Sequence, residues 1–208
     1  MTRRAFSLIE LIGVVAILAI LTALVLPRVT SGKRAPEASQ TVSEAKLTQT
    51  AVALQTLPSI ITAHVAQSGS LAAVKGTPLV FAEVYDDFSR VLLTEGLIDR
   101  PLTVTLGTGS VLRLRKVSAL TAASPLNAFD GAYDLSGTGQ NAVVGAAYVV
   151  ELVIFGVNEV EARAINDRID GPGLGRLAGA RGDVNGRVIY PPPGVDGRTE
   201  VHVYVFSK

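Results

Sequence analysis

Residues 11–26 carry no charged side chain, and with its flanks this apolar stretch covers 6–27, twenty-two positions. As a helix rising about 1.5 Å per residue it would be about 33 Å long, close to the thickness of a bilayer's hydrocarbon core. It is long enough to span. Arg3 and Arg4 precede it, and the positive-inside tendency keeps such residues cytoplasmic and sends the downstream chain outward, although Arg28, Lys33 and Arg34 on the far side weaken that asymmetry. A secretory signal has a shorter apolar run that ends at a small-residue cleavage site. Here the run is too long and ends in Leu24-Val25-Leu26-Pro27. The segment therefore reads as a retained anchor with any processing site at its front.

The 208 residues suffice for one ordinary domain beyond this segment. Residues 1–34 hold five Lys/Arg against Glu10 alone, which leaves 14 basic and 17 acidic residues in the remainder. A mildly acidic remainder without a basic stripe argues against nucleic acid as a partner. There is no cysteine, so disulfides and thiolate metal sites are excluded and stability must come from packing.

The front of the anchor reads Arg3-Arg4-Ala5-Phe6-Ser7-Leu8-Ile9-Glu10, followed directly by Leu11-Ile12-Gly13-Val14-Val15-Ala16-Ile17-Leu18. This stretch resembles the prepilin cleavage and methylation signal shared by type IV pilins and type II secretion pseudopilins. The resemblance implies that a prepilin peptidase cuts between Ala5 and Phe6 and methylates the new Phe6 amine. It also implies that Glu10 neutralises the Phe6 amine of a neighbouring subunit during assembly. Glycine is commoner than alanine before the cut; Ala5 keeps the position small. Many members carry a disulfide in the head, and this chain departs from that habit.

A carboxylate at mid-membrane costs about 2.5–3.5 kcal/mol on insertion scales, while each Leu, Ile, Val or Phe returns about 0.3–0.6 kcal/mol. The run can therefore carry Glu10. By itself Glu10 lies about one turn into the helix and has two readings, a side chain that reaches the headgroups or a partner for a buried amine. Pro27 falls where many pilins bend their helix, and proline removes an intrahelical bond. Gly13, Ala16, Ala19 and Ala23 form a small-residue seam that lets helix backbones approach.

Beyond an interruption at 28–36, a helical period returns over 37–57, and Pro58 is expected to end or kink that helix. A further amphipathic helix is expected over 81–95, stopped by Gly96. The alternating segments 102–106 and 111–117 read as a hairpin around 107–110, and 118–143 as a long loop. Residues 147–156, apolar on nearly both faces, are the strongest strand. Asn158 with Glu161 three residues on reads as a helix N-cap, with the helix ending near Asp170-Gly171-Pro172. Two strands are expected at 186–190 and 200–206, the latter with Val201, Val203 and Val205 on one side and His202, Tyr204 and Phe206 on the other.

No serine elbow, His-Glu-x-x-His or phosphate-binding loop is present, and His64 and His202 are the two histidines. The glycines of Gly171-Pro172-Gly173-Leu174-Gly175 follow a helix rather than a strand, which suits a turn. A lone histidine such as His64 reads as structural. Asp183 and Asn185 offer oxygens at alternate positions, with Asp130 and Asp134 as conceivable contributors; calcium takes six to eight oxygens, so turn formation is the simpler reading and no other cofactor is expected.

The resemblance thus implies an α+β, pilin-like fold: a leader at 1–5, a transmembrane and filament-core helix at 6–30, a helical extension at 31–69 and a β-rich head at 70–208. The expected role is structural and non-enzymatic, as a pilus or pseudopilus subunit in the inner membrane with its head outside. Its partners would be the prepilin peptidase, other pilin or pseudopilin subunits, the inner-membrane assembly platform and lipid. The alternative is a single-pass anchored binding protein that never polymerises, and a free Phe6 amine separates the two.

Overall fold

The computed structural model describes residues 34–117, 131, 133–137, 147–171, 174 and 181–208, with backbone alone over 34–43. The apolar stretch of 6–27, with Phe6, Glu10, Pro27 and the small residues at 13, 16, 19 and 23, and Ala5 before it, lies outside the described residues, as do Asp130 and most of 118–143. The chain divides into two units, Met1–Val42 and Ser43–Lys208. Of the first, only helical backbone from residue 34 onward is described.

The fold is α+β, a helix followed by antiparallel sheets. Helix α1 spans Arg34–Ser68 and runs through Pro58 instead of stopping there. Its inner face explains why. Leu47, Leu54, Leu57, Ile61 and Val65 recur at helical spacing and are all buried, so the same face continues on both sides of the proline. The missing Pro58 N–H and its ring cost about 3 kcal/mol. Burying Leu57 and Ile61 contributes about 1.5–3 kcal/mol each, which outweighs that cost.

A small hairpin comes next, β1 (Ala73–Val74) and β2 (Thr77–Pro78), paired as Val74↔Thr77. Its two-residue turn needs positive φ at both positions, and Lys75 (φ 47°) and Gly76 (φ 76°) supply it. The main sheet has five strands in the order β3-β4-β5-β7-β6, every pair antiparallel. They are β3 (Val84–Tyr85), β4 (Gly109–Lys116), β5 (Tyr148–Asn158), β6 (Val188–Ile189) and β7 (Arg198–Ser207). Helix α2 (Phe88–Thr94) precedes β4, and α3 (Glu159–Ile169) comes after β5.

The structure corrects several expectations. The helix expected over 81–95 is only α2, because Val84 and Tyr85 are drawn into the sheet opposite Arg115 and Leu114. Phe81 reinforces this by packing its ring against Tyr85 and Tyr148. The expected hairpin of 102–106 with 111–117 is absent: β4 pairs with β3 and β5, while Val104 and Leu106 are buried without strand pairing. Gly107 (φ 68°) lies so close to β5 that a Cβ would collide with the Phe155 carbonyl oxygen, and Thr108 donates its N–H to the same oxygen at 2.8 Å.

Strand β7 also departs from simple alternation. Val150 pairs with Phe206 but Glu151 with Tyr204, so Val205 is an extra residue and a bulge. The bulge reverses the parity, and Phe206 joins Val201, Val203 and Val205 against the main core instead of facing away with His202. The cap of α3 matches the sequence reading. Asn158 Oδ1 accepts the Glu161 N–H at 2.9 Å while its Nδ2 donates to Glu161 Oε2 at 2.8 Å. Asp170 and Gly171 (φ 73°) end the helix.

The three helices of the described residues all contribute to the main core: Leu54, Leu57 and Ile61 from α1, Phe88 and Leu92 from α2, Ala162 and Ile165 from α3, packed on Leu112, Leu152, Ile154 and Val203 of the sheet. A second, smaller cluster of Tyr133, Val149 and Ile189 lies on the opposite face, since Val149 and Val150 alternate along β5.

Candidate functional site

Among the described residues the polar chemistry is concentrated in two buried clusters and one acidic loop. The first cluster centres on Glu151, a fully buried carboxylate in the middle of β5. Its Oε1 accepts from Arg115 Nε at 3.0 Å, with Arg113 Nη1 at 3.6 Å. Its Oε2 accepts from the Tyr133 hydroxyl at 2.7 Å and faces His202 Nδ1 at 3.3 Å. His202 Nε2 lies 2.7 Å from Glu200 Oε1, and Arg113 Nε donates to Asp86 Oδ1 at 2.5 Å.

Burial opposes ionisation of Glu151, but the hydrogen bond and charge of His202, the charge of Arg115 and the Tyr133 hydrogen bond hold the carboxyl at about 2. Burial and the neighbouring Glu151 charge push the Tyr133 hydroxyl well above its ordinary range. The network ties β4, β5 and β7 to the segment around Tyr133 across the second face of the sheet. From sequence, 147–156 reads only as an apolar strand, which misses this cluster; a lone acid in the run Val149-Val150-Glu151-Leu152-Val153 could have signalled it.

The second cluster joins the end of α1 to the end of α2. His64 Nδ1 lies 2.5 Å from Glu95 Oε2, and the ring stands edge-on to Phe88 at 5.2 Å. Ser68 Oγ and the Lys75 N–H (3.0 Å) both donate to Glu95 Oε1. His64 Nε2 faces the Leu71 carbonyl at 3.2 Å. The set Ser68, His64 and Glu95 has the composition of a nucleophilic triad but not its order. Ser68 and Glu95 share the Nδ1 side of the ring, Nε2 is occupied by a carbonyl, and Ser68 gives its proton to the carboxylate. This geometry holds chain segments together.

The acidic loop brings the calcium candidates Asp183 and Asn185 near each other, with both carboxylate oxygens of Asp183 engaged. Asp183 Oδ1 accepts the Asn185 N–H at 3.0 Å and Oδ2 accepts Asn166 Nδ2 at 2.6 Å. Asp134 and Asn185 form a backbone bridge, and the Gly186 N–H donates to the Asp134 carbonyl at 2.7 Å. Asp170 accepts the Arg187 and Val188 N–H groups at 2.9 and 2.8 Å; burial pushes its carboxyl up despite these bonds. Among the described residues no group of three or more His, Cys, Asp or Glu is placed to hold a metal ion.

The outer face of α1 is the remaining notable surface. From Thr48 to Gln67 the only ionisable side chain is His64, which is buried. Exposed Thr48, Thr56, Ser59 and Thr62 bond back to carbonyls one turn earlier, at 2.7–2.9 Å. The face therefore presents methyl groups and amides, with Val52 54% exposed.

Among the described residues no helix is long and apolar enough to cross a membrane, and the apolar run of 11–26 lies outside them. Set against protein-family models, curated proteins and solved structures, the chain finds no match in any of the three.

Proposed function

We propose that this chain is a pilin-like structural subunit, of a type IV pilus-like filament or a type II secretion pseudopilus. The observation that carries the reading is the junction Arg3-Arg4-Ala5-Phe6 with Glu10 at its fifth downstream position counting Phe6 as the first, placed directly before sixteen uncharged residues. In this reading a prepilin peptidase removes residues 1–5, the chain sits in the inner membrane through residues 6–30 with its head outside, and the assembly platform inserts it beside other subunits.

Two features of the described residues support it. A long helix is packed by one face on an antiparallel sheet, which is the division of labour a filament subunit needs. Its other face carries no exposed charge between Thr48 and Gln67, so close packing there would strand no ion. The test is intact-mass analysis of the protein extracted from membranes with an active prepilin peptidase, together with its recovery in sheared filaments or secretion complexes. The expected species begins at Phe6 and carries an added methyl group. Retention of Met1–Ala5 overturns the proposal.

A further inference from the structure

The second buried cluster does more than fill space, because one carboxylate holds three otherwise separate pieces of chain. Glu95 directly succeeds α2; its side chain is 2% exposed and that of His64 is fully buried. Its two oxygens receive His64 and Ser68 from the last two turns of α1 and the Lys75 N–H from the β1–β2 turn. Through His64 Nε2 the same unit reaches the Leu71 carbonyl, in the link between α1 and β1. Both ring nitrogens of His64 face acceptors, an arrangement that two N–H donors satisfy. Lys75 holds a left-handed backbone conformation (φ 47°), which a non-glycine residue keeps only where its surroundings fix it, and the bond from its N–H to Glu95 is such a fixing contact.

We propose that the Glu95 carboxylate is an acid-released latch: while ionised it clamps the end of α1, the β1–β2 turn and the end of α2 into one body, and its protonation frees the last turns of α1 and the hairpin. Protonation removes a full charge from opposite His64 and puts a proton on an oxygen that was accepting, so the bonds from His64, Ser68 and the Lys75 N–H all lose their charge-assisted strength. From α1 the groups facing the carboxylate are His64 and Ser68, from the hairpin the Lys75 N–H, and from α2 the Phe88 ring against His64; His64 is the titratable partner among them. Burial raises the carboxyl, and Ser68, His64 and Lys75 together bring it below its ordinary value of 4.5. The latch is therefore closed above the ordinary carboxylate range and opens as pH falls through the lowered value.

Hydrogen exchange of the full-length chain in detergent, read by mass spectrometry and corrected for intrinsic rates, tests this from about pH 6.5 to about pH 3. Peptides covering residues 64–76 should lose protection on acidification relative to β5, whose core hydrogen bonds serve as the internal reference. Glu95→Gln should show the fast exchange of 64–76 at both ends of the range. Ser68→Ala removes one donor from the ionised carboxylate and should move release to higher pH, which keeps the test decisive if Glu95→Gln does not fold. Unchanged protection of 64–76 in the wild type down to about pH 3, wild-type protection in Glu95→Gln, or an unmoved release point in Ser68→Ala overturns the latch.

Discussion

Replacing Glu151 by alanine leaves Arg115, Arg113, His202 and the Tyr133 hydroxyl around an empty space in the centre of the sheet. Removing one partner of a buried ion pair typically costs about 3–5 kcal/mol, because the other charge stays buried without compensation. The lowered carboxyl gives an independent figure. A drop from 4.5 to about 2, at about 1.4 kcal/mol per unit, corresponds to about 3 kcal/mol of folding free energy at neutral pH. Since the folded-state value is depressed, the unfolded chain binds more protons between those two values. The contribution is then complete above pH 4.5 and falls away as pH approaches 2. The wild type should therefore exceed Glu151→Ala in stability by about 3–5 kcal/mol at pH 7, and that gap should shrink by about 2–3 kcal/mol near pH 2.5. Urea unfolding of the full-length chain in detergent, monitored by tyrosine near-ultraviolet circular dichroism, reads both quantities. Tyr133 and Tyr204 stack edge to face at 5.4 Å on this side of the sheet and report directly on the cluster. Parallel stability curves for the two proteins from pH 7 to pH 2.5 would refute the reasoning.

Glu10→Ala should leave membrane insertion intact or improve it, because an acid leaves the apolar stretch, while incorporation into sheared filaments or secretion complexes fails. Normal incorporation would favour the anchored protein that does not polymerise. Gly107→Ala should lower thermal stability by more than the roughly 1–3 kcal/mol that a left-handed backbone alone costs a non-glycine residue, because its Cβ also meets the Phe155 carbonyl. Gly69→Ala is the control: its φ is 78° and no atom lies within 4 Å of the added carbon, so calorimetry should show the smaller, backbone-only loss.

Local signals survived best in this chain. The Asn158–Glu161 pairing is read from a single spacing of three residues and needs no tertiary partner, and it forms as a reciprocal cap. The apolar run in β5 was legible because both its faces are covered. Elsewhere distant residues decided the outcome. Val84 and Tyr85 fit a helical period, yet their strand partners Arg115 and Leu114 lie about thirty residues away and override it. Pro58 marks a stop or a kink by local rules, and the core face that continues through Leu57 and Ile61 carries the helix past it. The bulge at Val205 leaves no mark in a stretch of alternating valines, so the side taken by Phe206 could not be read. Of the polar clusters, Glu151 had a visible oddity in its apolar neighbours, whereas the meeting of His64 with Glu95 joins residues 31 apart with no pattern between them.

Both outermost strands of the main sheet, Val84–Tyr85 and Val188–Ile189, are only two residues long. On the longer strands beside them, Leu112 and Val201 turn buried side chains into the core. An outermost strand of two residues offers a foreign strand only a short ladder to continue. In an assembly that concentrates many identical heads side by side, each would keep its own hydrogen bonds. Fusion into a shared, amyloid-like sheet is thereby discouraged at the one place where an antiparallel fold is most exposed to it.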